Sequence, residues 1–300
     1  MFFRPMFVIG EPSGIQLAAL RFVVEQFAPR PDRGTDVEST VENGVRCAWV
    51  TADGAGRDGV VLYLHGGGYF VGSAQAAAGT AARISAASGL RVCVPDYRLL
   101  PEHPVPAAAD DAVAVYRALL AAGVDPATLV VAGDSAGGHL AACLVNDVKD
   151  SGLPLPRAVV LWSPVIDPLG QAAIAADRRR RDAVLAVPFW APALRKHLTD
   201  APGAARMNPL ADVDHRWPPT LIQVGGDECL LDDAHSLADA LALARVPHRL
   251  QVWDGQVHVF QYLAGLVPEA RRAIEQTGRF IREAVTSGLD DVNSGGRGGR

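Results

Sequence analysis

Two glycine-rich turns constrain this chain more than any other feature, because each cuts short an apolar run. Val60-Val61-Leu62-Tyr63-Leu64 leads into His65-Gly66-Gly67-Gly68, and Leu129-Val130-Val131-Ala132 leads into Gly133-Asp134-Ser135-Ala136-Gly137-Gly138. Continuous apolar runs of this length read as strands buried on both faces of a parallel sheet, and loops leaving such strands are where α/β proteins place their chemistry. Gly133, Ser135 and Gly137 have the G-x-S-x-G spacing of a strained strand-to-helix turn that exposes a serine hydroxyl. The flanking glycines let backbone segments approach closely. Alone the pattern is weak, since a serine opening an apolar helix also makes an ordinary N-cap. Histidine followed by three glycines is rarer, and the pair in this order points to an active site built from loops.

A serine hydroxyl is a poor nucleophile until a base takes its proton, and the base needs an orienting carboxylate. Both are expected downstream, each after a later strand. Thr220-Leu221-Ile222-Gln223-Val224 runs into Gly225-Gly226-Asp227-Glu228, and Arg249-Leu250-Gln251-Val252-Trp253 runs into Asp254-Gly255-Gln256-Val257-His258. Asp227 and His258 are therefore the leading partners of Ser135. The other histidines, at 65, 103, 139, 197, 215, 235 and 248, do not follow a strand in the right order. Glu228, Asp232 and Asp233 crowd close to Asp227, and this cluster also reads as the acidic first turn of a helix. Asp227 is preferred because it comes first after the strand and the glycine pair.

A family resemblance rests on five stretches: His65-Gly66-Gly67-Gly68-Tyr69, Asp96-Tyr97-Arg98-Leu99-Leu100-Pro101-Glu102-His103-Pro104, Gly133-Asp134-Ser135-Ala136-Gly137-Gly138, Gly226-Asp227-Glu228-Cys229-Leu230 and Gly255-Gln256-Val257-His258-Val259-Phe260. Together they resemble the hormone-sensitive-lipase-like family of bacterial esterases over about residues 60–265. The resemblance implies an α/β-hydrolase fold, with Ser135, Asp227 and His258 as triad and the N–H groups of Gly66, Gly67 and Ala136 as oxyanion hole. It implies a serine carboxylic-ester hydrolase working on short- to medium-chain acyl esters through an acyl-enzyme, with no cofactor and no metal. Leu100, where the family commonly has Ala, departs from the pattern without touching the chemistry. A non-catalytic small-molecule-binding protein on the same scaffold, or an amidase or peptidase, stays open beside this reading. The family often forms dimers, so a homodimer is allowed, although no residue here demands one.

Composition excludes several other classes. The formal charge is −5 and the pI about 5.9, which leaves no basic patch for nucleic acid. The run of arginines at 178–181 reads as a solvated helix face. Cys47, Cys93, Cys143 and Cys229 lack C-x-x-C spacing, so neither a zinc site nor a disulfide framework is indicated, and reduced thiols suit a cytoplasmic protein. No stretch approaches the ~20 apolar residues of a membrane span, and Met1 to Pro12 is too broken by Arg4 and Pro5 for a signal segment.

The pattern predicts an eight-stranded, mostly parallel sheet with flanking helices, and the resemblance implies a helical cap. A helix is expected over about 14–28, with an apolar face of Ile15, Ala18, Ala19, Phe22, Val23 and Phe27, stopped by Pro29 and Pro31. Asn43-Gly44 signals a hairpin. Further strands fall near 59–65, 91–96, 128–133, 158–163, 220–225 and 248–253. The stretch between Ser163 and Thr220 is too long for an ordinary connection and reads as an insertion, with Phe189, Trp190, Leu194, Leu198 and Trp217 as its apolar content. The expected division is an N-terminal cap segment at 1–30, a core at 31–165 and 216–286, a cap insertion at 166–215, and a disordered tail at 287–300.

Overall fold

The computed structural model describes residues 14–167, 169–180, 182–185, 194, 195, 197 and 202–295. Eight strands form one sheet in the order β1-β2-β4-β3-β5-β6-β7-β8. The strands are β1 (Asp36–Glu42), β2 (Val45–Thr51), β3 (Gly56–Leu64), β4 (Leu90–Pro95), β5 (Leu129–Asp134), β6 (Ala158–Trp162), β7 (Thr220–Gly225) and β8 (His248–Trp253). β1 and β2 form the expected hairpin, with Asn43 and Gly44 both at positive φ (48° and 88°), as a two-residue primed turn requires. β2 also runs antiparallel to β4, and the remaining neighbours pair in parallel.

Alternation along the buried strands divides the core into two layers. Val60, Leu62 and Leu64 of β3, with Leu129 and Val131 of β5, face α3 (Val105–Ala121), α4 (Ala136–Asp150) and α6 (Leu231–Leu243). Val61, Tyr63, Val130 and Ala132 face the opposite way, toward α2 (Ala74–Ser88) and α7 (Pro268–Gly295). A period of two in a strand with both faces covered gives this two-sided burial.

Strand order positions the site. After β3 the chain steps outward to β4 and then crosses back to β5, so β3 and β5 become neighbours and the order reverses between them. Ligands bind at the carboxyl ends of strands where the order reverses. In the register Leu64 lies opposite Gly133, which brings the two glycine-rich turns side by side.

Two expectations are corrected. In α1 (Gly14–Phe27), Leu17 and Leu20 are buried and Val24 packs beside them, whereas Ile15, Phe22 and Phe27 are 85%, 64% and 79% exposed. This helix is apolar nearly all round, so periodicity alone cannot orient it; Arg21 does. Its guanidinium donates to the carbonyls of Phe70 (2.9 Å) and Leu100 (2.8 Å) and to both carboxylate oxygens of Glu102, which turns the Leu17–Leu20–Val24 stripe inward. At the other end, α7 continues to Gly295, so the tail expected to be disordered from Ser287 is helical for most of its length. Extending a helix that is already nucleated costs little.

The long connection between β6 and β7 contains α5 (Gln171–Arg180) and a 3-10 turn at Ala204–Met207, with Leu194 and Trp217 buried. Phe189, Trp190 and Leu198 lie outside the described residues, as do the side chains of the 178–181 run. No helix among the described residues is long and apolar enough to cross a membrane.

Candidate active site

Ser135 sits between β5 and α4 with φ 53° and ψ −120°, a left-handed conformation that costs a non-glycine residue roughly 1–3 kcal/mol. The surroundings impose it. The Ser135 N–H donates to the Trp162 carbonyl (2.9 Å), and the Ser135 carbonyl accepts from His139 (3.0 Å) and Val165 (3.1 Å). A Cβ on Gly137 would fall on the carbonyl oxygens of Leu64 and His65, so α4 can start tight against the end of β3 only with glycine there.

The structure brings His258 to this serine from 123 positions away, with Nε2 2.9 Å from Ser135 Oγ. On the far side of the ring, Nδ1 faces Glu228 Oε1 at 3.5 Å. With Nδ1 carrying its proton toward the carboxylate, Nε2 is left to accept from the serine hydroxyl. Glu228 is fully buried, and its Oε2 accepts from Ser163 Oγ (2.8 Å) and the Gly225 N–H (3.0 Å). Ser163 Oγ also accepts the Val259 N–H (3.2 Å), which ties Glu228 to the segment carrying the histidine.

The structure does not bring Asp227, the expected acid, to the imidazole; Glu228 faces it instead. Consecutive residues in the tight turn after β7 point opposite ways; the Asp227 side chain is exposed, and only its backbone N–H engages the histidine loop, at the Gln256 carbonyl (3.1 Å). Glu228 turns inward and reaches the imidazole. Nothing in the Asp-Glu pair itself tells which one is buried. Asp232 and Asp233 do occupy the first turn of α6, where Asp233 Oδ2 accepts the N–H groups of Ile166 (2.7 Å) and Asp167 (2.9 Å).

Of the expected amide set, Gly66 differs from Gly67 and Ala136. The Gly66 N–H donates to Asp134 Oδ1 (2.9 Å), so this amide is already engaged. Among the described residues the N–H groups of Gly67, Gly68 and Ala136 meet no acceptor. Gly67 and Gly68 have φ of 119° and 63°, conformations open to glycine, and Ala136 opens α4, where the helix dipole favours negative charge.

Asp134, a residue of the elbow to which sequence reasoning assigned no role, holds the two turns together. Its carboxylate is buried and accepts from Tyr63 (2.5 Å), Tyr262 (2.8 Å) and Gly66. Burial pushes its carboxyl above the usual range, although these three donors pull it back. One turn into α4, His139 is also buried, which lowers it to about 4 and keeps it neutral. Tyr69 donates to its Nδ1 (2.7 Å), and Nε2 donates to the Met207 carbonyl (2.9 Å), linking the glycine loop, α4 and the end of the insertion.

Electrostatics set the working pH of His258. Burial pulls its imidazole down, but the Glu228 carboxylate, with Asp182 and Asp134 behind it, outweighs burial and raises it above its ordinary 6.5. A base must be neutral, so activity is lost as pH falls through the folded-state value. The acid limb of kcat/KM is expected to have its midpoint above 6.5. A pH–rate profile with a midpoint at or below that value contradicts this electrostatic balance.

Residues 61–262 match the alpha/beta hydrolase fold family. An acetyl-hydrolase of Streptomyces hygroscopicus is 39% identical over 240 residues, covering 78% of this chain and 79% of its own length. The carboxylesterase/phospholipase LipF of Mycobacterium tuberculosis is 35% identical over 314 aligned positions, covering 98% of this chain and 82% of its own. The crystal structure of an esterase from the bacterial hormone-sensitive lipase family superposes with a TM-score of 0.87 at 37% identity, over 94% of this chain and 95% of that one. The chain belongs to the α/β-hydrolase family. Within it, its place is among the hormone-sensitive-lipase-like esterases.

Proposed function

We propose that this chain is a serine carboxylic-ester hydrolase in which Ser135 is the nucleophile, His258 the base and Glu228 the orienting acid. The observation that carries the reading is the 2.9 Å approach of His258 Nε2 to Ser135 Oγ in a strained turn. Ser135 Oγ attacks the acyl carbon as its proton passes to His258 Nε2. The negative charge that gathers on the carbonyl oxygen is met by the N–H groups of Gly67, Gly68 and Ala136, whose stabilisation is strongest in the transition state. The C–O bond to the alcohol then breaks, and the alcohol leaves with the proton from His258. Water, deprotonated by the same imidazole, attacks the acyl carbon; the bond to Ser135 Oγ then breaks, Oγ takes the proton from His258, and the carboxylic acid leaves. Protein groups and water complete the cycle.

The substrate class is short- to medium-chain acyl esters, a reading supported by relatives named acetyl-hydrolase and carboxylesterase. The N-terminal helix and the insertion serve as a cap over the acyl pocket. Two contacts support this: Arg21 ties α1 to Phe70 beside the glycine loop, and Ala173 and Ala176 of α5 pack on Cys229 and Leu230 beside the acid. Four free, buried cysteines suit a reducing compartment such as the cytoplasm. The test is kcat/KM for nitrophenyl acetate, butyrate, octanoate and palmitate, with butyryl nitroanilide as the matched amide. Acetate to octanoate are expected to be preferred and the anilide to turn over far more slowly. Equal use of the anilide, or preference for palmitate, overturns the reading.

A further inference from the structure

Glu228 is held by its Oε2, which accepts from Ser163 and Gly225, and so Oε1 is left to face His258. Its backbone needs a separate hold, because a glutamate side chain has several rotatable bonds and a loop peptide free to tilt moves the carboxylate with it. That hold comes from the insertion. Asp182 is fully buried, and its Oδ2 accepts the N–H of Cys229, the residue next to Glu228, at 2.9 Å. Its Oδ1 accepts from Val184 and Leu185, both at 2.8 Å, which fixes the carboxylate within its own turn. Around this bond Ala173 and Ala176 of α5, with Leu185 nearby, pack against Val165, Cys229 and Leu230. The Val165 N–H in turn bonds the Ser135 carbonyl. A buried carboxylate on the insertion thus bonds the peptide next to Glu228, beside a packed cluster that is itself hydrogen-bonded to the elbow through Val165.

The geometry points to Asp182 as a positioning residue: from the insertion it anchors the Glu228–Cys229 peptide so that the Glu228 carboxylate stays aimed at His258 Nδ1. The inference rests on the triad reading above and deepens it by making the machinery depend on a side chain outside the α/β core. The charged groups that act on His258 are Glu228 from the turn after β7, Asp182 from the insertion and Asp134 from the end of β5. Removing the Asp182 charge leaves the other two in place. The loss therefore lowers, without abolishing, the preference for imidazolium.

The test compares Asp182→Asn and Asp182→Glu with the wild-type enzyme. Three quantities are read: kcat and KM on nitrophenyl butyrate, the pH dependence of Ser135 labelling by a fluorophosphonate, and the His258 titration followed by ring ¹⁵N shifts. For Asp182→Asn the expected result is a fall in kcat of about tenfold with KM changed less than about threefold. The His258 midpoint is expected to drop by roughly half a unit to one unit. Asp182→Glu, which keeps charge and acceptor, is expected to restore most of the midpoint. If Asp182→Asn is not recovered folded, Asp182→Ser, which keeps a small acceptor for the turn, is expected to show the same lowered midpoint. Wild-type kcat and an unmoved midpoint in a folded Asn or Ser variant overturn the proposal, even if thermal stability falls. The ¹⁵N titration does not depend on ester turnover. A wild-type protein inert toward esters would therefore count against the proposed activity, and the anchoring role would still be decided by the titration.

Discussion

Replacing Ser135 with alanine is expected to lower kcat on a short-chain ester by about 10⁵- to 10⁶-fold and to abolish fluorophosphonate labelling. The size of the loss follows from the chemistry. In the proposed mechanism His258 and Glu228 activate one hydroxyl, and without that hydroxyl they have no proton to take, so the three groups act as a unit. Residual catalysis of about 10³- to 10⁴-fold over water is expected from the amides of Gly67, Gly68 and Ala136 and from substrate binding, neither of which the substitution touches. The fold is expected to survive, because the left-handed backbone at Ser135 is held by its own N–H and carbonyl, bonded to Trp162, His139 and Val165. Circular dichroism and thermal unfolding close to wild type, together with the lost rate, complete the expectation. A folded Ser135→Ala protein retaining more than about 1% of wild-type kcat refutes the nucleophile assignment.

The second large effect separates two adjacent carboxylates. Glu228→Ala is expected to lower kcat by about 10³- to 10⁴-fold, whereas Asp227→Ala should change it by less than about threefold. Two consequences accompany the loss at Glu228. The imidazole loses the carboxylate that opposes its burial, so its pKa falls, and the Ser163 hydroxyl and Gly225 N–H lose their buried acceptor. The latter destabilises the protein by roughly 1–3 kcal/mol for each orphaned group, so kcat is to be referred to folded enzyme from an active-site titration. Glu228→Gln keeps an oxygen for those two donors and isolates the effect of charge. The reverse pattern, with Asp227→Ala crippled and Glu228→Ala active, would return the acid to Asp227.

The same pair shows how much of the site was legible in the sequence. Ser135 and His258 were readable because each is marked by backbone demands that leave a local trace: glycines where a Cβ has no room, and a loop directly after an apolar run. The neighbourhood of the acid was readable for the same reason, since Gly225 lies where a Cβ would fall on the Gln256 carbonyl. The choice between Asp227 and Glu228 left no trace, because both are acidic residues in one turn and the side that faces inward is set by distant segments, through the bonds from Ser163 and Asp182 and the packing of Cys229 and Leu230 against α5. The amides proposed for the oxyanion hole followed a similar course. Three consecutive glycines mark the loop, but the engagement of Gly66 by Asp134 depends on a carboxylate 68 positions away. In α1 the near-uniform apolar surface concealed its inward face until Arg21 found the carbonyls of Phe70 and Leu100.

By itself the sequence determined the strands, the hairpin at Asn43-Gly44, the elbow and the histidine that follows β8, all of which rest on steric rules within a few consecutive residues. Only the tertiary structure decided that β3 lies beside β5 with Leu64 opposite Gly133, which carboxylate meets the imidazole, and which amides remain open. Local backbone geometry is encoded where it occurs. Partners drawn from distant segments are selected by burial and by competition for hydrogen bonds, which exist only once the sheet has assembled.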